Sequence, residues 1–391
     1  LTQPVTIHNS QFTISQFTKK IDMKAIISGG GSGGHIFPAV AIANAIRARH
    51  ADAQILFIGA QGRMEMERVP AAGYEIKGLP IAGLQRRFTL ENIVKNLQLP
   101  CKVWRSRHMV RGIIRDFDPD IVVGVGGFAS QPTLKVAADM GYATLLQEQN
   151  AYAGLANRTL ARQAAKICVA YEGMERFFPK EKIVFTGNPV RADIEQMQAS
   201  EQEALGHFGL DGSCPVVLAV GGSLGARSIN RMVLDNLGFF EQNGIRLIWQ
   251  TGRQMDAEAA EAVAAAGLRQ WVKVHQFISR MDLAYTAADA VVSRAGAIAI
   301  SELCLVGKPA VLIPSPNVAE DHQTKNAMAL ADRGAALVVA DSQCGTQCLP
   351  RVLELLRDSG RSAAMGAAIK ALAAPRAAER IADEIDNLIQ R

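Results

Sequence analysis

Gly29-Gly30-Gly31-Ser32-Gly33-Gly34-His35 lies between a short strand-like run, Lys24-Ala25-Ile26-Ile27-Ser28, and a helical pattern from Ile36 to Ile46. A strand, a glycine-rich turn and a helix start leave several N–H groups unpaired and direct the positive end of a helix dipole at one point. Such a point suits an anion or a polar sugar group, so phosphate or sugar chemistry is the first expectation. A glycine turn that only lets strand and helix pack closely is the plain alternative. The spacing contains a G-x-G-x-x-G-like run, and a dinucleotide site would add an acid roughly 20 residues on, at the end of the next strand. That strand, Gln54-Ile55-Leu56-Phe57-Ile58-Gly59, ends without one. A nicotinamide or flavin cofactor is therefore disfavoured.

The pattern recurs twice. Val216-Val217-Leu218-Ala219-Val220 runs into Gly221-Gly222-Ser223-Leu224-Gly225-Ala226-Arg227, and Ala290-Val291-Val292 runs into Ser293-Arg294-Ala295-Gly296-Ala297, with Ser301-Glu302 in the helix behind it. Three phosphate-competent turns in one chain are hard to explain by packing alone. The alternation of short β-branched runs with alanine-rich helical segments predicts an α/β chain with parallel sheets. At 391 residues, 49% hydrophobic and 20% charged, the chain is long enough for about two domains. The boundary is placed at Thr186-Gly187-Asn188-Pro189-Val190-Arg191. A first domain then runs over 23–187 and a second over 188–376, while a last helix at 377–389 is expected to return to the first. The expected fold is two doubly wound, Rossmann-like domains facing across a cleft lined by the carboxyl ends of their strands.

Several function classes fall away. No apolar run approaches the roughly 18 residues of a membrane-spanning helix. The six cysteines are scattered, and the close pair Cys344 and Cys348 has no nearby histidine, so they are expected to be free thiols in a reducing compartment. Asp116-Phe117-Asp118-Pro119-Asp120 precedes the strand Ile121-Val122-Val123, which puts its carboxylates at the end of the strand away from the ligand crevice. No metal site and no required cofactor are expected. Leu1 to Asp22 lacks the apolar core of a secretion signal and is set aside as a disordered extension, with Met23 as the natural start.

Seven motifs occur in order: Gly30-Gly31-Ser32-Gly33-Gly34-His35-Ile36-Phe37-Pro38, Gly126-Gly127-Phe128-Ala129-Ser130, Gln147-Glu148-Gln149-Asn150, Gly187-Asn188-Pro189-Val190-Arg191, Gly221-Gly222-Ser223-Leu224-Gly225-Ala226-Arg227, Ser293-Arg294-Ala295-Gly296-Ala297 and Asp321-His322-Gln323-Thr324-Lys325-Asn326-Ala327. Together they closely resemble the MurG family, bacterial enzymes that move N-acetylglucosamine from its UDP donor to the 4-hydroxyl of lipid I, making lipid II. The resemblance covers nearly everything from Met23 onward. Phe128 stands where the family often has tyrosine, Gln131 where it often has glycine, and Ser32 replaces a more frequent threonine.

The resemblance implies an inverting glycosyltransferase of the GT-B type, with the donor held mainly by the second domain and the acceptor by the first. Ser223, with the amides around it, would cradle the diphosphate. Glu302 would hold the ribose, the backbone of Ile278 the uracil edge, with its side chain mattering little, and Gln323 the sugar hydroxyls with support from Asn326. Arg294 would neutralise phosphate, Arg191 at the hinge matches a position the family uses for donor binding, and Ala297 lies at the helix start behind the Arg294 turn. Ser32, Gly33, Gly34 and Asn150 belong to the acceptor side. Two residues are candidates for the base that takes the acceptor proton, His35 and, second, Glu148.

An isoprenoid acceptor requires a bilayer. From Arg86 to Arg115 the chain carries Arg86, Arg87, Lys95, Lys102, Arg105, Arg107, Arg111 and Arg115 against Glu91, interleaved with Phe88, Leu90, Ile93, Val94, Leu97, Leu99, Val103 and Trp104. Each such cation near an anionic leaflet contributes roughly 1 kcal/mol, and an apolar stripe adds burial among headgroups. The expectation is a peripheral protein on the cytoplasmic face of the inner membrane, with UDP-N-acetylglucosamine, lipid I and an anionic surface as partners, other cell-wall synthesis enzymes as further candidates, and no nucleic acid. A related transferase with another sugar or acceptor, or a sugar-nucleotide epimerase, would use the same donor turns.

Overall fold

The computed structural model describes residues 23–31, 33–81, 83, 97, 99–222 and 224–390. The expectations for residues 1–22, for Ser32 and Ser223, and for Arg86, Arg87, Lys95 and their apolar neighbours up to Val94 lie outside the described residues.

Two wholly parallel sheets organise the chain. The first contains β1 (Lys24–Ser28), β2 (Gln54–Ala60), β3 (Glu75–Leu79), β4 (Ile121–Gly124), β5 (Ala143–Glu148), β6 (Lys166–Val169) and β7 (Ile183–Phe185), in the order β3-β2-β1-β4-β5-β6-β7. The second contains β8 (Val216–Val220), β9 (Arg246–Gln250), β10 (Val272–His275), β11 (Ala290–Ser293), β12 (Ala310–Leu312) and β13 (Leu337–Val338), in the order β10-β9-β8-β11-β12-β13. Central strands such as β4 and β11 are buried along their whole length, as expected when helices cover both faces of a parallel sheet. Four apolar clusters lie on the two faces of the two sheets.

This topology locates the ligand crevice. Strand order reverses between β1 and β4 in the first sheet and between β8 and β11 in the second. Ligands bind outside the carboxyl ends of strands at such switch points, where all three glycine turns emerge.

Two stretches of chain join the units side by side. One runs through Gly187, whose φ is +84° and where a Cβ would stand 2.4 Å from that of Ala374 on the returning stretch. The final helix, Ala377–Ile389, then buries Ile381 and Ile385 against the Gly33–Arg49 helix of the first unit. Asp386 accepts from His50 Nε2 at 2.8 Å and from Arg49 at 3.1 Å. The second unit is thus tethered at both ends.

Candidate active site

The first turn is built by close backbone approach. Gly30 and Gly31 have φ of +149° and +90°, and a Cβ on Gly127 would lie 2.3 Å from the carbonyl oxygen of Gly30. One anion position here is already filled from within. Glu65, buried, accepts from Gly31 N–H at 2.9 Å and from Ala60 N–H at 3.1 Å. The anion half of the expectation at this turn is thus met from within, and the polar sugar group remains the expectation for Gly33 and Gly34 at the helix start. No local pattern marks Glu65, since it meets the turn only through the fold.

His35, in the first turn of the Gly33–Arg49 helix, is partly buried, and its Nδ1 lies 3.1 Å from Gln149 Oε1. Its ring edge rests against Gly126, where a Cβ would be 3.0 Å from Cε1. Burial holds the imidazole below its ordinary value of 6.5, and His322 pushes the same way. Glu148, the Gln149 hydrogen bond and the Val125 backbone oppose them. A neutral ring is the form that can take a proton.

Glu148, the other candidate base, is occupied. Oε1 accepts from Asn150 N–H at 3.0 Å and Asn150 Nδ2 at 3.2 Å, and Oε2 from Gly154 N–H at 3.0 Å and Asn157 Nδ2 at 2.9 Å. A carboxylate with four donors, buried to 2% exposure, orders its loop and is poorly placed to collect a proton. The geometry therefore corrects Glu148 from candidate base to loop anchor. Asn150 in turn meets the second unit: its Oδ1 accepts from Asn326 Nδ2 at 3.1 Å, while Asn326 Oδ1 accepts from Ala151 N–H at 2.9 Å. Asn326 thus bridges the two units instead of supporting Gln323.

On the donor side the Gly221–Ala226 turn is equally tight. Gly225 has φ +80°, and a Cβ there would stand 2.1 Å from the carbonyl oxygen of Thr251. Gly225→Ala is expected to destabilise the protein by about 1–3 kcal/mol through backbone strain, read as a lower urea midpoint, and to weaken donor binding. Behind the turn, Gln250 donates to Gly222 C=O at 3.0 Å and accepts from Ile278 N–H at 2.9 Å. The amide of Ile278 is therefore engaged, which leaves its carbonyl for a base edge. Its side chain is 4% exposed within the core, so the expectation that this side chain matters little is wrong: truncation would open a cavity.

Glu302, on the Ala297–Val306 helix, is 9% exposed and accepts from Tyr285 Oη at 3.0 Å, with Arg191 Nε 3.7 Å away. Burial pushes its carboxyl up to about 6, against the pull of Arg191 and Tyr285. Ala297 opens the same helix. Gln323 accepts from Ser315 N–H at 2.8 Å, which leaves the NH2 end of its amide for a sugar hydroxyl.

Arg294 does not face phosphate. Its guanidinium donates to Ile313 C=O at 3.0 Å, Asp341 at 2.5 Å and Ser228 Oγ at 3.0 Å. A cation pinned to a carboxylate and a strand-end carbonyl anchors β12 to the Arg227–Leu234 helix. Asp341 lies 47 residues away in sequence, and nothing near Arg294 announces it. Tyr285, Asn188, Gln250 and Glu65 are the functional-looking residues that the sequence did not single out.

Comparison with known proteins agrees with this architecture. The glycosyltransferase family 28 N-terminal domain matches residues 25–169 and the corresponding C-terminal domain residues 216–381. The chain is 55% identical over 336 residues to the UDP-N-acetylglucosamine–N-acetylmuramyl-(pentapeptide) pyrophosphoryl-undecaprenol N-acetylglucosamine transferase of Phocaeicola vulgatus, covering 86% of this chain and 88% of that one. It is 51% identical over 369 residues to the protein of that name from Parabacteroides distasonis, covering 94% and 99%. The crystal structure of Acinetobacter baumannii MurG superposes with a TM-score of 0.74 at 26% identity, covering 93% of this chain and 99% of that one. With two parallel-sheet units and relatives this similar over nearly the whole length, the chain belongs to the MurG family of glycosyltransferases.

Proposed function

We propose that this protein transfers N-acetylglucosamine from UDP-N-acetylglucosamine to the 4-hydroxyl of the muramyl sugar of lipid I, with inversion, to give lipid II. The observation that carries the proposal is the placement of His35, whose Nδ1 lies 3.1 Å from Gln149 Oε1 at the carboxyl edge of the first sheet, where burial favours the neutral ring. As the acceptor oxygen attacks the anomeric carbon from the face opposite UDP, His35 removes its proton. Charge grows on the leaving diphosphate, where Ser223 and the amides of the Gly221–Ala226 turn, at the start of the Arg227–Leu234 helix, stabilise it. Glu302 accepts from the ribose hydroxyls, Arg191 beside it adds positive charge, and the NH2 group of Gln323 meets the sugar. Gly33, Gly34 and Asn150 bound the acceptor side. Charge neutralisation by helix ends and Arg191 makes a metal or cofactor unnecessary.

The acceptor's lipid anchor requires a bilayer, and none of the described helices is long and apolar enough to cross one. The Leu99–Phe117 helix buries Ser106, Val110 and Ile114 and exposes Trp104 at 72%, together with Arg105, Arg107, Arg111 and Arg115. Such a face supports peripheral docking to an anionic cytoplasmic leaflet. The test of the reaction is UDP release by the purified protein given UDP-N-acetylglucosamine, with and without a lipid I analogue. Release that depends on the analogue is expected. Epimerised donor or UDP released without acceptor would replace the proposal with an epimerase or a hydrolytic activity.

A further inference from the structure

His35 is one end of a chain of buried side-chain amides whose polarity is fixed at both ends. Gln149 Nε2 donates to the Val125 carbonyl at 2.8 Å and to Gln147 Oε1. Gln147 Nε2 donates to Asn188 Oδ1 at 2.9 Å, and Asn188 Nδ2 donates to Ser301 Oγ at 3.0 Å and to the Gln149 carbonyl at 2.9 Å. Ser301 Oγ finally donates to the Ala297 carbonyl at 3.0 Å. Gln147, Gln149 and Asn188 are each at most 2% exposed.

Backbone carbonyls only accept, so Val125 obliges Gln149 to point its NH2 group away from His35, and Ala297 sets the direction of the Ser301 hydroxyl. Turning Gln149 over would set its oxygen against the Val125 oxygen and against Gln147 Oε1. A buried acceptor facing acceptors is what native packing avoids. Gln149 therefore offers His35 an oxygen, and an oxygen can be met only by a ring N–H. The proton must sit on Nδ1, which leaves Nε2 with a bare lone pair.

We infer that Gln149, backed by Gln147 and Asn188, is a positioning residue that selects the Nδ1–H tautomer of His35 and so makes Nε2 the basic nitrogen. This rests on His35 being the base. Free imidazole side chains favour the opposite, Nε2–H tautomer, which would present a donor to the acceptor hydroxyl and could not remove its proton. The chain also crosses between the units: Ser301 is adjacent to Glu302 on the donor-side helix, and Asn188 lies in the connecting stretch. The same amides that orient the base are thus anchored on the wall of the donor pocket.

The test reads the tautomer directly, by nitrogen-15 NMR of the histidine-labelled full chain at neutral pH, with the His35 resonances assigned by their loss in His35→Gln. The expected spectrum has a protonated Nδ1 and an unprotonated Nε2. In Gln149→Leu the ring is expected to shift toward the Nε2–H form, kcat to fall roughly 100-fold, and the donor Kd to stay within about twofold because the Gln149 amide is spent on His35, Val125 and Gln147. An Nε2–H tautomer in the unmodified protein overturns the proposal, as does an unchanged tautomer in folded Gln149→Leu. An Nδ1–H tautomer together with full activity in His35→Ala would overturn the assignment of the base instead, and with it the catalytic purpose of the amide chain.

Discussion

His35→Ala is expected to lower kcat by about 100- to 10,000-fold, the usual contribution of a positioned general base, while leaving the KM for UDP-N-acetylglucosamine nearly unchanged. The split follows from placement. His35 belongs to the first unit and is hydrogen-bonded to Gln149 on the same unit, whereas Glu302, Ile278 and the Gly221–Ala226 turn belong to the second. Steady-state kinetics at saturating donor measure it. The pH dependence has a defined sign as well. Burial holds the ring below 6.5, and the neutral form is the active one, so kcat at saturating donor should keep its plateau down to pH 6.5 and fall on the acid side of it. The charged and titratable groups that face the ring, Glu148 and His322, act in opposite directions, and neither reverses the effect of burial.

Glu302→Gln is expected to damage donor binding while making the protein more stable. A buried carboxylate accepting from ribose hydroxyls contributes roughly 1.5–3 kcal/mol for a charged hydrogen bond, so the donor KM should rise about 10- to 100-fold. Stability moves the other way. Between an ordinary 4.5 and about 6 the folded chain holds a proton that the unfolded chain has released. Glu302 therefore subtracts stability as pH rises through that window, and above it the full penalty stands, about 2 kcal/mol for a shift of this size. Glutamine carries no charge to desolvate and keeps a partner for the Tyr285 hydroxyl, so the thermal midpoint of Glu302→Gln should exceed that of the parent at pH 7 and converge with it toward pH 4. In the parent, donor KM should climb as pH falls below about 6 while kcat follows His35.

The sheets could be read from sequence because strands such as Lys24–Ser28, Ile121–Gly124 and Val216–Val220 are short, largely apolar runs that end in glycine or lead directly into it, the pattern of a parallel strand buried on both faces. The glycine turns could be read because positive φ and close approach together disfavour any side chain at Gly30, Gly127 or Gly225. What sequence does not carry is the direction in which a long side chain turns. Arg294 sits in a ligand-side turn, yet its guanidinium reaches back to Asp341 and Ser228. Glu148 ends a strand in the crevice, yet four donors converge on it. Glu65 fills the first glycine turn from a helix 34 residues further on. Arg294 and Glu65 were decided by partners that only the packed fold brings near, and Glu148 by the way its own following loop curls back onto the carboxylate. The family resemblance pointed to His35 and Glu302, but the amide chain that runs from His35 through Gln149, Gln147 and Asn188 to Ser301, beside Glu302, emerges only from the geometry.

The most direct measurement of the central claim is the anomeric configuration of the product formed from UDP-N-acetylglucosamine and a lipid I analogue, by proton NMR, in the parent and in His35→Ala. Attack opposite UDP, assisted by one base on the acceptor side, predicts a β-linkage to the 4-oxygen of the muramyl sugar and its near disappearance in the variant. An α-linked product, or a β-linked product formed at the parental rate without His35, would contradict it.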